Sequence, residues 1–232
     1  MIKGNKLKDY NSFEVEMNSL IGSFYDGYGL EHFFEHLYHT FLKSENSVRK
    51  FAQEYQQEFD QLDAEIQVGI EKYDPQHYLK SAPLVDTLRK SYFITAHSEF
   101  EATWKEVVKI HNAYFTPART IGSLNDKFLL HSDFNPRVLP DKVVLNHKVI
   151  LSYNYIRNKI VHQKANINSS EFITMNSYIT SGKINNLVIN VEGTTADFYI
   201  NDIKFVKEYT DCVISFLKDI VDTSYSDRRP TT

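Results

Sequence analysis

Apolar residues spaced at threes and fours run through most of this chain, and that spacing constrains the fold more than any other feature. A helix turns about 100° per residue, so such spacing gathers side chains onto one face. Leu30, Phe33, Phe34, Leu37 and Phe41 share one arc over 29–43. After a break at Ser44-Glu45-Asn46-Ser47, where Ser44 or Asn46 suits an N-cap, Val48, Phe51, Tyr55, Phe59, Leu62, Ile66 and Ile70 continue the pattern toward Asp74-Pro75. A third long helix is expected from Pro83, a first-turn proline after Ser81, to Phe115, with Trp104, the only tryptophan, on it. A fourth is expected over 141–163. A last one over 202–222 uses Ile203, Val206, Tyr209, Val213, Phe216, Leu217 and Ile220.

The remainder reads otherwise. Residues 1–28 show no strong periodicity and end in a Gly-rich loop signal. Residues 116–140 hold Pro117, Pro136 and Pro140 and read as loop, as do the Asn- and Ser-rich residues 164–185. Two β-rich runs around Gly193 predict a hairpin over 187–200. With 8 Gly and 6 Pro but 15 Tyr and 16 Phe in 232 residues, turns are few and core side chains large. The expected fold is mainly α, a long-helix bundle with one small β-hairpin before the last helix. Residues 1–80 form a helical N-terminal extension, 81–224 the main helical domain and 225–232 a frayed tail.

Charge and cysteine usage narrow the function. A net charge of −4 excludes a globally basic nucleic-acid coat but not a local basic site. From Gln53 to Asp74 there are seven acids and one base; from Arg137 to Lys164 there are six bases and one acid. The second stretch suits a polyanion, unless the acidic stretch neutralises it within the fold. One cysteine, Cys212, builds neither a disulfide nor a Cys-rich zinc site, and its place in the apolar stripe reads as packing. No apolar run spans a membrane, and the first residues lack the apolar stretch of a signal peptide, so a cytoplasmic setting is expected.

The fourth helix carries the chemistry. With Asn154 at 0°, Leu145, Val149, Tyr153, Ile156 and Ile160 fall between about 180° and 260°, the expected buried stripe. Arg157, Asn154, Asn158 and His162 fall between about 300° and 80°, on the opposite side. Arg157 and His162 diverge by about 140°, so one helix does not pinch one atom between them. Two such helices facing each other about a two-fold axis would close a cleft lined by both pairs. A guanidinium matches phosphate oxygens, and an imidazole exchanges protons near neutral pH. Together they suffice for RNA transesterification. A base takes the 2′-hydroxyl proton, cations stabilise the charge on the phosphoryl oxygens, and an acid protonates the leaving 5′-oxygen. No metal or other cofactor is required. The competing reading is a solvated polar face whose Arg makes an ion pair and whose His caps the helix end.

Arg157-Asn158-Lys159-Ile160-Val161-His162 resembles the signature of the HEPN superfamily, an Arg, a polar residue, a short gap and a His. The surroundings resemble the family too. The motif lies near the end of a penultimate long helix, and the upstream stretch SYFITAHSEFEATW resembles the partner helix, with Glu101 at a position that is acidic in many members. The resemblance covers roughly residues 83–222. It implies a metal-independent endoribonuclease acting as a homodimer, a toxin or antiphage effector that cuts RNA, transfer RNA among its substrates. Arg157 and His162 would be catalytic and Asn158 supporting, with Glu101 and Asn154 behind them. Lys148, Lys159 and Lys164 are candidates for RNA backbone contacts. The alternative is a catalytically silent HEPN-type dimerisation module within a larger defence or toxin–antitoxin complex. Some members carry, two residues after the His, a Tyr that an antitoxin modifies; that position is Lys164 here, so this control is not implied.

Other constellations weigh less. His32-Phe33-Phe34-Glu35-His36 matches a zinc-protease string, and His39 lies on the same arc, but no downstream carboxylate helix supplies a third ligand. No metal is therefore assigned. His97 and Glu99 share the third helix with Glu101, which reads either as a surface acid on a long helix or as a contact that meets Arg157 across a helix pair. Ser181-Gly182-Lys183 lacks the preceding glycine of a P-loop.

Overall fold

The computed structural model describes residues 10–22, 29–62, 66, 81–114, 141–163, 166–192 and 195–226. Among these the fold is mainly helical: α1 (Tyr10–Ile21), α2 (Leu30–Asp60), α3 (Ser81–Tyr114), α4 (Asp141–Gln163), α5 (Ser169–Gly182) and α6 (Lys204–Ser226). A small antiparallel sheet of β1 (Asn166–Asn168), β2 (Leu187–Glu192) and β3 (Thr195–Ile200), in the order β1-β3-β2, precedes α6. No helix among the described residues is long and apolar enough to cross a membrane. The expected helix end near Asp74-Pro75 and the expected loop over 116–140 lie outside the described residues.

Periodicity places α3, α4 and α6 where they form, and the hairpin is present. Every apolar residue assigned to the stripe of α6 is buried. The expectation of a frayed tail from 225 is corrected by one turn's fraction, since α6 continues through Ser226.

Other expectations fail for identifiable reasons. Residues 1–28 contain α1, whose Phe13, Met17 and Ile21 form a short stripe wholly inside the common core. At the turn into α2, Gly22 and Gly29 touch backbone to backbone, and a Cβ on Gly29 would fall 1.4 Å from the Gly22 carbonyl oxygen. The break at 44–47 does not exist. Ser44 Oγ donates to the Thr40 carbonyl and Ser47 Oγ to the Lys43 carbonyl, both at 2.9 Å, so these hydroxyls bond back into a continuous helix instead of capping a new one. The buried arc beyond them passes through Glu45 and Ala52, leaving Phe51 55% exposed.

Residues 164–185 are not simply loop. Ile167 anchors β1 in the core, and Asn168 caps α5: its side chain accepts from Glu171 N while Glu171 accepts from Asn168 N, a reciprocal capping box. The helix ends with Lys183 in the left-handed region (φ 51°, ψ 41°). Gly182 serves packing, because a Cβ there would lie 3.0 Å from Ser152 of α4.

Glu45 owes its burial to Arg89 on α3. Arg89 Nε donates to Glu45 Oε2 at 2.9 Å and Nη2 to Oε1 at 2.5 Å, while Nη1 donates to the carbonyls of Ile200 (3.0 Å) and Asn201. β1 pairs only with residues 195–197, which leaves the end of β3 without a strand on that side. Side chains of α3 take that edge: Asp86 Oδ1 accepts from Ile200 N (2.8 Å), and Lys90 Nζ donates to the Phe198 carbonyl (2.8 Å). One helix therefore ties α2 to the sheet.

Burial alone pushes the Glu45 carboxyl up, but hydrogen bonds and charge from Arg89 and Arg49 outweigh it and hold the carboxyl below its ordinary range. The pair's contribution is therefore complete above the ordinary carboxylate range and fades as pH falls through the depressed folded value. Arg89→Ala leaves Glu45 buried without its main partner and is expected to cost about 3–5 kcal/mol. Urea denaturation at pH 7 followed by circular dichroism measures this. The gap between variant and wild type is expected to narrow toward pH 3.

Candidate functional site

α4 is not a helix with one dry and one wet side. In its first half His147 stacks on Phe216 and Asn146 Nδ2 donates to Asp219 Oδ2 at 2.9 Å, so α6 covers this side. Buried Val143 and His147 lie within about 20° of Asn154 on the wheel, on the arc expected to be polar. In its second half α4 is enclosed from several directions. Tyr153 meets Phe93 of α3 and Phe205 and Tyr209 of α6, and Tyr155 stacks on Tyr178 of α5 with centroids 4.6 Å apart. Tyr153, Ile156 and Ile160 are buried as expected, but Leu145 is 57% exposed. The expected stripe holds from Val149, partly buried against the core, to Ile160 and fails at Leu145, because the neighbours of α4 change along its length.

The site residues divide into two groups. Arg157, Asn158 and Glu101 come together. Arg157 Nη1 donates to Asn158 Oδ1 at 3.0 Å, and Nη2 lies 3.7 Å from Glu101 Oε2 across the α3–α4 contact. The Arg157 side chain is 22% exposed, although its Nε is buried. His162 stands exposed on the last turn of α4. Asn154 is half-buried one turn before Asn158, and Lys148 is exposed. Lys159 is committed elsewhere: Nζ donates to Glu171 Oε1 at 2.6 Å and lies 5.2 Å from the Tyr155 ring centroid. Lys164 lies outside the described residues. Two bases of α4 thus find acidic partners on α3 and α5.

Sequence reasoning named His97 but gave it no role, and took Tyr209 only as core. The structure puts both beneath Arg157. His97 is 2% exposed, lies flat against Tyr209 (5.7 Å between centroids, 8° between planes) and meets the edge of Phe93. Its Nδ1 is 3.7 Å from Glu101 Oε1, too long for a hydrogen bond. Among the described residues, no protein group hydrogen-bonds to either ring nitrogen, to Arg157 Nε or to the Tyr209 hydroxyl, all of them buried. Each such atom costs about 1–3 kcal/mol, so their concentration where α3, α4 and α6 meet is costly for the fold. Burial first, and the Arg157 charge second, push the imidazole down to about 4, so it is neutral at pH 7. Burial, and then the Glu101 charge, push the Tyr209 hydroxyl far up. The signal in the sequence was the i, i+4 spacing of His97 and Glu101, which stacks them on one helix face.

His32, His36 and His39 are exposed on α2, and no group of three or more His, Cys, Asp or Glu among the described residues could hold a metal ion. A groove of about 780 Å³ opens between α2 and α6, lined by Glu31, His39, Asp211 and Lys218 among others, and includes none of the Arg157 group. Its charges are largely spoken for: Lys218 pairs with Glu31 and Lys207 with Asp211.

Comparison with known proteins gives no match to a family model, a curated protein or a solved structure.

Cys212 is no nucleophile in this fold. Burial, and then the Asp219 carboxylate, push its thiol up to about 12. Maleimide labelling at pH 7.5 is expected to be at least about 100-fold slower in the folded chain than in urea. Equal rates would contradict this placement.

Proposed function

We propose that this chain is a HEPN-type, metal-independent endoribonuclease that cleaves RNA, transfer RNA included, by 2′-hydroxyl transesterification at a site shared by two copies. In this reading it serves as a toxin or antiphage effector, with an antitoxin or defence-complex partner to restrain it. One observation carries the proposal. Arg157 Nη1 is hydrogen-bonded to Asn158 and its Nη2 lies beside the Glu101 carboxylate, with the side chain 22% exposed, while His162 stands exposed on the next turn of the same helix. A guanidinium oriented before substrate arrives needs little reorganisation as charge builds on a phosphoryl oxygen. Asn158 accepts from Nη1, which aims the fork; Nη2, 3.7 Å from Glu101 Oε2 and not hydrogen-bonded to it, is the donor that would turn to phosphate. His162 is free to take the 2′-hydroxyl proton and return one to the leaving 5′-oxygen. The divergence of Arg157 and His162 along one helix is the reason the reading needs a second copy.

A second reading has its own support. Arg157 already has Glu101 and Asn158 as partners, and Lys159 has Glu171. That is what a catalytically silent HEPN-type dimerisation module would look like, its Arg serving as an inter-helix tie.

RNA separates the two. Purified protein incubated with total RNA or transfer RNA in EDTA is expected to cut at discrete positions. His162→Ala is expected to lose about 10²–10⁴-fold in rate, the usual worth of a general acid–base group. A folded dimer that never cuts supports the silent module, and equal cutting by wild type and His162→Ala removes His162 from the mechanism.

A further inference from the structure

His97 packs against Phe93 and Tyr209, and Phe93 in turn meets Tyr153 and Phe205, so its surroundings are otherwise built for packing. A phenylalanine there would keep the flat stack on Tyr209 and bury no polar atom. The imidazole instead sets two unpartnered nitrogens under Arg157, and it shares the Glu101 carboxylate with that guanidinium. Oε1 is 3.7 Å from His97 Nδ1, and Oε2 is 3.7 Å from Arg157 Nη2. Neither distance is a hydrogen bond, so Glu101 sits between two partners and is held fast by neither.

We propose that His97 is a positioning residue for Arg157, setting through Glu101 how far the guanidinium reaches toward an incoming phosphodiester. The proposal rests on the reading of Arg157 as the phosphate-binding cation. A phosphodiester in the Arg157 fork repels the Glu101 carboxylate and screens the guanidinium charge. Glu101 then turns to His97, whose imidazole is protonated more readily beside it and, once protonated, donates a hydrogen bond to it. Phosphodiester binding and His97 protonation therefore favour each other, and by linkage each raises the affinity for the other equally. The groups that set the balance are Glu101 on α3, Arg157 and Tyr153 on α4, and Tyr209 on α6. Without ligand, burial and Arg157 both keep the imidazole neutral, so loss or screening of the Arg157 charge moves its titration upward.

The test is NMR on the full chain with isotope-labelled histidine and arginine, with His97→Gln identifying the His97 signals. The ligand is a 2′-O-methyl oligoribonucleotide, which has the phosphodiester but not the attacking hydroxyl. Free His97 is expected to stay neutral down to pH 5.5. Arg157→Met and saturating oligonucleotide are each expected to move its titration up by about one unit, a tenfold coupling. His97→Phe is expected to keep the fold, by circular dichroism, and to flatten the pH dependence of oligonucleotide affinity between about pH 4 and 5.5, where the wild type binds up to about tenfold more tightly at the acid end. His97 signals indifferent to Arg157→Met, and to an oligonucleotide that does shift Arg157 Nε, would overturn the proposal and leave His97 as packing. An oligonucleotide that leaves Arg157 Nε unmoved, while Arg157→Met still moves His97, overturns the phosphate reading and with it the purpose given to His97.

Discussion

The bidentate grip of Arg89 on Glu45 is the constraint on which the rest of the molecule depends. It buries a carboxylate in the middle of α2 and a guanidinium near the start of α3, and it spends the remaining guanidinium donor on the carbonyls that end β3. Asp86 and Lys90, on either side, finish the edge of β3 that the three-residue β1 leaves uncovered. A buried ion pair gains less than its Coulomb energy suggests, because both ions lose water. What it supplies here is geometry: three elements distant in sequence meet in one arrangement. Twelve residues further along the same helix, about 18 Å at 1.5 Å per residue, Glu101 faces Arg157. The clamp and the candidate site are two ends of one stiff element.

Between those ends runs an aromatic core. Phe41 stacks on Tyr92 at 4.5 Å, and Phe93 touches Tyr153, Phe205 and Tyr209. Rings of this size exclude water and lower the local dielectric, which strengthens any charge at the boundary and penalises any polar atom left inside. The Arg157 group lies on that boundary. Glu101 is 39% exposed, Arg157 22%, and His97 almost wholly enclosed, so polarity falls steeply over one helix diameter. The fold sustains orphaned atoms on His97, Tyr209 and Arg157 only because the surrounding packing holds them there.

Much of this was legible from residue spacing. α3, α4, α6 and the hairpin follow from apolar periods, because each has a core to face along most of its length. Three things were hidden, each for a physical reason. α1 has too few turns for its stripe of Phe13, Met17 and Ile21 to stand out. The continuity of α2 was masked by Ser44, Asn46 and Ser47, residues that suit caps, but the Ser44 and Ser47 hydroxyls bond back to their own helix. α5 was hidden by its Asn and Ser content, although Asn168 and Glu171 hold the capping-box spacing that announces a helix start. In the site, the sequence offered Glu101 either as a surface acid or as a partner of Arg157, and the α3–α4 contact brings the two side chains within 3.7 Å. His97 was given no role because burial depends on how α3, α4 and α6 pack, which no single-helix wheel contains.

The proposed chemistry is attack of a 2′-hydroxyl on phosphorus, with Arg157 and His162 as the working groups and no metal required. The chemistry of the cut ends tests it most directly. Mass spectrometry of fragments from a defined transfer RNA, cut in EDTA, is predicted to show 2′,3′-cyclic phosphate on one side and 5′-hydroxyl on the other. Fragments bearing 5′-phosphate and 3′-hydroxyl would contradict the account, because water and not the 2′-hydroxyl would then be the nucleophile.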